Sequence, residues 1–290
     1  GFVSPTILAR KAATFDQLTQ GRIALHIISG GGETEQRRDG DYEDHDSRYQ
    51  RSGEFIKILK DLWTQSSPVT HNGHFYRFEN AKSDFQCFQT PHIPIYFGGA
   101  SEAALNVGAE SCDVYALWGE PRKEVKKKIA DFRKRVKATG RDPRSVRFSI
   151  STRPIVAETE SEAWDKAYHT LESVLNSGQR SMHGTADERL ESVGSQRLVD
   201  FATKGDVLDD RLYMPIAAAA GGAGNTTALV GTAEQVVDSL MKYYKLGCTT
   251  LLIRGFDPYN DTLYWGKELI PLLKDEVNRY LKSNIVTAHA

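Results

Sequence analysis

The spacing of apolar positions divides the beginning of the chain into helical and strand-like segments. Residues 4–20 and 47–64 carry apolar side chains at helical intervals. In the first of these segments Pro5 suits a helix start and Gly21 suits a helix end. The run "RIALHIIS" (22–29) is short, continuous and rich in β-branched residues, which predicts a buried strand.

Strand and helix patterns then alternate along the chain. Further strands are predicted at 93–99, 113–119, 146–157 and 248–256. Further helices are predicted at 101–112, 121–139, 232–246 and 261–282. Strands that alternate with helices are typical of parallel βαβ units, so the predicted fold class is α/β. An additional hairpin is predicted at 69–78, where Asn72-Gly73 stands between alternating residues.

This alternation is interrupted between about 158 and 228. The interruption is longer than an ordinary βα loop, and long loops of this kind are commonly lids or insertions. We therefore interpret 158–228 as an insertion and lid region over the carboxyl ends of the strands. The small side chains of "AAAAGGAGNTTALVG" (217–231) suit a loop that closes over a site, and a disordered connector is the alternative.

The five predicted strands fit two architectures. One is an open doubly wound sheet, and the other is a (β/α)8 barrel without its first three βα units. The sequence opens without methionine and enters a helix almost at once. That beginning favours the second architecture.

Composition narrows the possible functions. The 290 residues are 40% hydrophobic and 26% charged, with a formal net charge of -1, which argues against a nucleic-acid or membrane-surface role. Cys87, Cys112 and Cys248 form neither a metal-binding spacing nor a disulfide framework, so a reducing, cytoplasmic location is expected. The basic run 122–137 has apolar residues at helical spacing and is interpreted as the solvated face of a helix.

A series of linked motifs resembles a known enzyme family. In chain order they are "SPTILARKAATFDQLTQGRIALHIISG", "DHDSRYQRSGEFIKILKDLW", "IPIYFGGAS", "ALWGEP", "SVGSQR", "GGAGNTTALVG" and "LGCTTLLIRGF…ELIPLL". Together they closely resemble the bacterial-luciferase-like flavin monooxygenases, most of all the alkanesulfonate monooxygenase branch. The resemblance implies a luciferase-like (β/α)8 TIM barrel in which residues 1–290 form one domain. It also implies that three N-terminal βα units, with an acid and other active-site groups, are missing.

The motif "DHDSRY" contains candidate cofactor residues. Asp46 is placed to cap a helix, and His45 and Tyr49 are spaced to face the same way. A metal site would need at least three convergent ligands, and His and Cys at ligand spacing do not accompany this motif, so none is predicted. In the resembling family a His-x-x-x-Tyr pair contacts FMN, which implies that role for His45 and Tyr49. Two ordinary surface side chains are the alternative.

The turn after the strand 93–99 is a second candidate for cofactor binding. Gly99 and Ser101 lie where a strand meets the next helix, and amides at a helix N-terminus together with a hydroxyl suit a phosphate. The resemblance implies that this phosphate belongs to FMN. Ser29, at the end of another predicted strand over the same face, is a further flavin candidate.

The candidate substrate residues depart from the alkanesulfonate enzymes. Those enzymes have an Arg-x-His where this chain has Ser151 and Arg153, an arginine where it has Ala220, and a tyrosine where it has Phe256. Arginine suits a sulfonate because its planar fork pairs two oxygens, so these differences weaken the case for an alkanesulfonate. The candidate pocket residues are Trp118, Arg153, Gly221, Gly222, Phe256 and Tyr259.

Several of these roles have alternatives. Arg153, with Arg254, suits an anion contact, and Arg153 equally suits a surface ion pair. Trp118 is expected to form a pocket wall by resemblance, and packing at the rim is its alternative. Gln196 and Arg197 are expected to face the same pocket. Catalytic residues are not assigned; Arg153 and Trp118 are the candidates.

The resulting functional hypothesis is a two-component monooxygenase that oxygenates a small organic substrate, such as an alkanesulfonate or another organosulfur compound. It would use O2 and reduced FMN (FMNH2) from a separate NAD(P)H-dependent flavin reductase, and a homodimer or homotetramer is expected. A flavin- or deazaflavin-dependent oxidoreductase of the same fold is one alternative. A catalytically inactive flavin-binding fragment is the other.

Overall fold

The structure, a computed structural model, describes residues 3–30, 32–177 and 192–288. Residues 178–191, in the middle of the predicted insertion, therefore lie outside the described residues. The chain divides into two compact units. The first unit comprises Gly1–Ala116 and Ala130–Arg147, and the second comprises Leu117–Ile129 and Phe148–Ala290.

The first unit follows the predicted alternation of helix and strand. Its helices are α1 (Pro5–Thr19), α2 (Glu33–Arg38), α3 (His45–Thr64) and α4 (Glu102–Ser111). Its strands are β1 (Leu25–Ile27), β2 (Val69–Asn72), β3 (Arg77–Ala81) and β4 (Ile95–Gly98). Strand β5 (Val114–Trp118) and helix α5 (Arg122–Ala138) each contribute residues to both units.

Parallel strands form the core of the first unit. Strand β4 pairs with β1 through the register Leu25↔Ile95 and with β5 through Phe97↔Tyr115. Ile95 and Phe97 are fully buried, as expected for apolar strands between layers. The predicted hairpin is confirmed, since β2 and β3 pair antiparallel.

Helix α1 packs through a different face from the one its apolar spacing suggests. Its buried residues are Ala9, Ala12, Ala13 and Asp16, together with Pro5. Phe15 and Leu18 are 59% and 75% exposed. The small side chains allow close approach to α3, whose Trp63 donates its indole N–H to the carbonyl of Ala9 at 3.0 Å. Packing and this hydrogen bond, not side-chain hydrophobicity alone, orient the helix.

The second unit contains more elements than the sequence pattern predicts. Its helices are α6 (Glu160–Asn176), α7 (Val193–Ala202), α8 (Pro215–Ala219), α9 (Ala233–Leu246), α10 (Pro258–Lys267) and α11 (Leu269–Ala288). Its strands are β6 (Arg147–Val156), β7 (Val207–Leu208), β8 (Leu212–Tyr213), β9 (Ala228–Gly231) and β10 (Cys248–Ile253). Strand β6 begins one residue earlier, in the first unit.

Strand β6 changes its partner halfway along. Up to Thr152 it pairs parallel with β10, and from Arg153 onward it pairs parallel with β9. Strands β7, β8 and β9 pair antiparallel, so the expectation of parallel strands alone is wrong for this part of the sheet. Strand β9, only four residues long, directly follows a glycine-rich turn, which hides it in the sequence.

The predicted helix 261–282 is two helices. Helix α10 ends at Lys267 and α11 begins at Leu269. Pro271 lacks the N–H that would bond to the carbonyl of Lys267 in a continuous helix, which explains the break. In the parts of the chain that the structure describes, no helix is long and apolar enough to cross a bilayer.

Candidate functional site

Helix α3 begins in the motif that carries two predicted cofactor residues. Its N-cap is Asp44, with φ -67° and ψ 166°, and Oδ1 of Asp44 accepts the backbone N–H groups of Asp46 and Ser47 at 2.9 Å each. The prediction that Asp46 is the cap is therefore wrong, because Asp46 already lies within the helix. Its carboxylate instead contacts Nδ1 of His45 at 2.7 Å. The earlier cap brings His45 and Tyr49 onto one helical face.

Tyr49 connects α3 to two neighbouring segments. Its ring meets the rings of His45 and Phe97 edge-on, with centroids 5.0 and 6.0 Å apart. Its hydroxyl lies beside the side chain of Ser101, which opposes part of the effect of burial on its pKa. Burial raises the pKa of Tyr49, so the phenol keeps its proton at neutral pH. The His45 side chain is 52% exposed and forms the open edge of this arrangement.

The turn between β4 and α4 fits closely against Tyr49. Gly99 has φ +156°, and a Cβ at this position would lie 2.4 Å from Cβ of Ala104 and 2.9 Å from Oη of Tyr49. Only glycine allows this approach without displacing its neighbours. Tyr115 donates its hydroxyl to the carbonyl of Gly99 at 2.5 Å. The backbone of the turn is thus fixed from both sides.

Ser101 is the N-cap of α4. Its Oγ accepts the N–H of Ala104 at 3.3 Å. The N–H groups of Glu102 and Ala103 lie in the first turn, where no helical carbonyl can accept them. Glu102 places a negative charge there, but Nη2 of Arg135 pairs with its carboxylate at 2.9 Å. The helix start therefore offers amide donors beside a neutralised carboxylate.

Ser29 lies against the same helix as Tyr49. Its Oγ is 2.9 Å from Oγ of Ser52, which in turn donates to the carbonyl of Arg48 at 2.9 Å. Ser52 is one turn beyond Tyr49 on α3. The structure thus gathers the five predicted cofactor residues around α3 and the β4–α4 turn; they are Ser29, His45, Tyr49, Gly99 and Ser101.

Trp118 ends β5, as predicted, and packs against the start of α7. A Cβ on Gly194 would lie 2.8 Å from Cζ3 of Trp118. The next residue, Ser195, donates Oγ to the carbonyl of Gly222 at 3.2 Å. Gly222 has φ +69°, and a Cβ there would lie 2.4 Å from the carbonyl oxygen of Ser195. Gly221, with φ +59°, precedes it in the same turn. Packing of Trp118 is therefore observed, and its role as a pocket wall stays a prediction.

Arg153 lies inside β6, three residues before its end, and not at the strand terminus. Its Nε donates to the carbonyl of Asn225 at 3.2 Å, Nη1 to that of Gly255 at 3.0 Å and Nη2 to that of Gly224 at 3.4 Å. The ring of Phe256 stacks on the guanidinium, with Cζ 5.1 Å from the ring centroid. Burial, and secondarily the charge of Arg254, lowers the pKa of Arg153. The alternative of a surface ion pair does not describe these contacts.

Phe256 and Tyr259 follow β10 but differ in environment. Phe256 is partly buried against a core cluster that includes Ile155, Tyr213 and Ile216. Tyr259, in the first turn of α10, is 73% exposed. The structure thus brings Phe256, but not Tyr259, into contact with Arg153.

Asn225 is a site residue that the sequence analysis missed. It is 3% exposed and has φ +52°. Its Oδ1 accepts the N–H of Gly119 at 3.2 Å, and its Nδ2 donates to the carbonyl of Ser151 at 2.6 Å. An Asn after glycines was an available signal, because Asn is among the few residues that tolerate positive φ.

Arg197 has a structural partner in place of the predicted pocket. Its Nε and Nη2 donate to Oε1 of the fully buried Glu120 at 2.9 and 2.7 Å. Lys128 pairs with the other oxygen of Glu120. Burial, opposed in part by Glu120, lowers the pKa of Lys128 to about 8. This cluster fixes α7 beside the end of β5, so the pocket role predicted for Arg197 is not supported by its contacts.

Metal binding has no support among the described residues. In residues 3–30, 32–177 and 192–288, no group of three or more His, Cys, Asp or Glu side chains could hold a metal ion.

Comparison with known proteins identifies the family. The family model described as "Luciferase-like monooxygenase" matches residues 1–250, most of the chain. The chain belongs to the luciferase-like monooxygenase family. The activity class of this family is flavin-dependent oxidation, as the sequence analysis predicts.

Solved structures confirm the luciferase-like α/β fold of the TIM-barrel type. EDTA monooxygenase from Chelativorans sp. BNC1 matches with a TM-score of 0.73 at 17% identity, over 95% of this chain and 71% of that one. Riboflavin lyase, solved with modified FMN and riboflavin, gives 0.70 at 18% identity, over 95% and 68%. An F420-dependent secondary alcohol dehydrogenase gives 0.60 at 18% identity, over 88% and 70%. The chain thus spans about seven-tenths of the length of these proteins.

Proposed function

We propose that this chain binds FMN and forms part of a two-component monooxygenase that oxygenates a small organic substrate. The observation that carries the proposal is the contact between Tyr49 and Ser101 at the start of α4, with Gly99 leaving room beside them. Aromatic, hydroxyl and amide groups meet there, and these are the groups that a flavin nucleotide requires. Reduced flavin supplies the electrons that activate O2 for transfer of one oxygen atom to the substrate.

The residues of the first unit would bind the cofactor in two parts. The amides of Glu102 and Ala103 and the hydroxyl of Ser101 would bind the phosphate, since a helix N-terminus favours an anion. The exposed ring of His45 and the ring of Tyr49 would contact the remainder of the nucleotide. Ser29, two residues after β1, would contribute a further hydroxyl. A Cβ at position 99 would intrude on Tyr49, which fits the presence of glycine there.

The residues of the second unit would bind the substrate. Trp118, Gly221 and Gly222 would exclude water, which protects reactive oxidised species from side reactions. Phe256 would add an apolar surface, and Tyr259 would approach from α10. The cationic Arg153 supports a substrate with an anionic oxygen, and we propose an alkanesulfonate or another organosulfur compound. Of the predicted lid 217–231, Ala228–Gly231 forms the buried strand β9, so the lid role is proposed for the turn 220–224 alone.

The proposed partner is an NAD(P)H-dependent flavin reductase, which supplies FMNH2. We further propose a cytoplasmic homodimer or homotetramer. One experiment tests this partner. The protein and a general flavin reductase are placed on opposite sides of a dialysis membrane that FMN can cross. We expect turnover to continue if the reductase supplies the protein with free reduced flavin.

The deazaflavin F420 is the second candidate cofactor, and the match to an F420-dependent dehydrogenase supports it. In that case the protein would transfer hydride to or from a deazaflavin without consuming O2. A catalytically inactive flavin-binding chain is the third candidate. Binding of FMN without turnover would favour it.

Titration of the purified protein with FMN, reduced FMN and F420, followed by cofactor fluorescence, tests the proposal. We expect FMN or FMNH2 to bind and the variants H45A and Y49F to weaken binding. The variant H74A, at an exposed histidine on the β2–β3 loop, is the matched control and should bind as the wild type does. Sulfite release from a panel of sulfonates, dependent on O2, would support the monooxygenase. Absence of FMN binding, or equal effects of H45A and H74A, would contradict the proposed cofactor site.

A further inference from the structure

Asn225 forms three hydrogen bonds at or near Arg153, two through its side-chain amide and one through its backbone carbonyl. Its side-chain amide bonds to the N–H of Gly119 and the carbonyl of Ser151, at 3.2 and 2.6 Å. Its own carbonyl accepts Nε of Arg153 at 3.2 Å. The end of β5, the middle of β6 and the glycine-rich turn therefore meet at one buried side chain.

No other residue type meets all the demands of position 225. The backbone there has φ +52°, which Gly, Asn and Asp tolerate. The N–H of Gly119 and the carbonyl of Ser151 bond to each other at 2.8 Å, and glycine at position 225 would remove the side-chain amide that links this pair to the glycine-rich turn. Ionised aspartate could accept from Gly119 but could not donate to Ser151. Asparagine alone supplies the backbone conformation, the acceptor and the donor.

The guanidinium of Arg153 is fixed in place, yet its charge is not neutralised. Three of its five N–H groups donate to uncharged carbonyls, those of Gly224, Asn225 and Gly255, which leaves two for another partner. Phe256 covers one face of the guanidinium. Among residues 3–30, 32–177 and 192–288, no carboxylate lies within ion-pair distance of Arg153. An arginine in this state suits an anionic oxygen.

We propose that Asn225 is a positioning residue that holds Arg153 ready to contact an anionic oxygen of the substrate. The inference rests on the proposed function only for the identity of that substrate. Because the side chain of Arg153 is already ordered, it loses little conformational freedom when the anion binds. Without the side-chain amide of Asn225, the backbone at positions 224 and 225 can shift. The guanidinium of Arg153, which donates to both carbonyls, then shifts with it.

Chemical modification of Arg153 tests this without turnover or cofactor. Phenylglyoxal is applied to the purified chain with and without sodium sulfate as the probe anion, and each arginine is followed by peptide mass spectrometry. The variants are N225G and N225D. S195A is the matched control, since it removes the bond to the carbonyl of Gly222 in the same turn but touches neither Asn225 nor Arg153. Arg211, which pairs with Glu160 at 2.8 Å, is the internal reference.

In the wild type and S195A we expect sulfate to slow the modification of Arg153. In N225G and N225D, Arg153 should react about fivefold faster, the change that loss of one ordinary hydrogen bond gives, and sulfate should no longer protect it. The proposal is overturned if sulfate does not protect Arg153 in the wild type, if N225G keeps that protection, or if Arg211 accelerates together with Arg153. Failure of FMN to bind would refute the proposed function and leave this result standing.

Discussion

The hydroxyl of Tyr49, on the second turn of α3, lies beside the side chain of Ser101, the N-cap of α4. This contact brings together the starts of two helices, where unpaired amides and the helix dipoles favour negative charge. Gly99 lies directly beside the contact, since a Cβ there would be 2.9 Å from Oη of Tyr49. Tyr49 and the turn that carries Gly99 and Ser101 are distant in sequence, and together they form one structural element.

Replacement of Ser101 by alanine should weaken both the helix and the cofactor site. Loss of an N-cap hydroxyl lowers the free energy of unfolding by about 1 kcal/mol. The matched control is T159A, which removes the N-cap hydroxyl of α6. We expect similar losses of stability in urea unfolding, and an FMN Kd increased only in S101A. Equal FMN affinity in the two variants would argue against a role of Ser101 in phosphate binding.

Replacement of Gly99 by alanine should disturb Tyr49 directly. The added Cβ would meet Ala104 at 2.4 Å as well as Oη of Tyr49, so the turn must shift. The control is G140A, where φ is also positive (+83°) but no atom lies within 4 Å of the added Cβ. Both variants should lose about 1 kcal/mol from backbone strain, and G99A should lose more. Fluorescence titration should show weaker FMN binding for G99A alone. An unchanged FMN Kd for G99A would mean that Gly99 is not part of the cofactor site.

Much of the fold follows from the hydrophobic pattern, because β4 and β5 are short apolar runs, β6 and β10 are rich in apolar or β-branched residues, and their helices are strongly patterned. The antiparallel strands β7 and β8 are only two residues long, and that is too short to show any period. The buried face of α1 also escapes prediction, since it depends on how closely small residues allow α3 to approach. Tertiary packing decides such cases.

The cofactor candidates could be predicted because they lie in short motifs at element ends. The contacts of Arg153 and Asn225 could not, since they join residues 72 positions apart. The sequence does not identify the cap of α3, for a local reason. Asp44 and Asp46 are both acids near the helix start, and only backbone geometry distinguishes them.

The assignment of Asp44 as the N-cap of α3 can be tested by comparing the variants D44A and D46A. The backbone N–H of Ser47, with further support from its hydroxyl, lowers the pKa of Asp44. A carboxyl with a depressed folded pKa stabilises the protein above its unfolded pKa, and this contribution is lost as the pH falls through the folded value. D44A should therefore lower the melting temperature at neutral pH and flatten its decline in acid. D46A should change neither the melting temperature at neutral pH nor its decline in acid. If D46A lowered the melting temperature more than D44A, Asp46 would be the cap.

The buried Glu120 should be essential for stability. Arg197 and Lys128 both pair with its carboxylate, so E120Q would leave two cations facing an uncharged amide. Removal of one member of a buried ion pair lowers the free energy of unfolding by about 3 kcal/mol. E160Q, which breaks the exposed pair with Arg211, should have only a small effect. Urea unfolding measures both; equal losses would mean that the Glu120 cluster is not specially stabilising.

Lys128 should make the stability of the protein depend on pH in the alkaline range. Burial lowers its pKa to about 8, from an ordinary 10.5. Between those values the unfolded chain binds a proton that the folded chain does not, so the contribution of Lys128 to the free energy of unfolding increases with pH. We expect the difference between wild type and K128M to grow in favour of the wild type across that interval in urea unfolding. For K127M, at an exposed position on the same helix, the difference in free energy of unfolding from the wild type should not change with pH. A constant difference for K128M as well would mean that Lys128 titrates at its ordinary pKa in the folded protein.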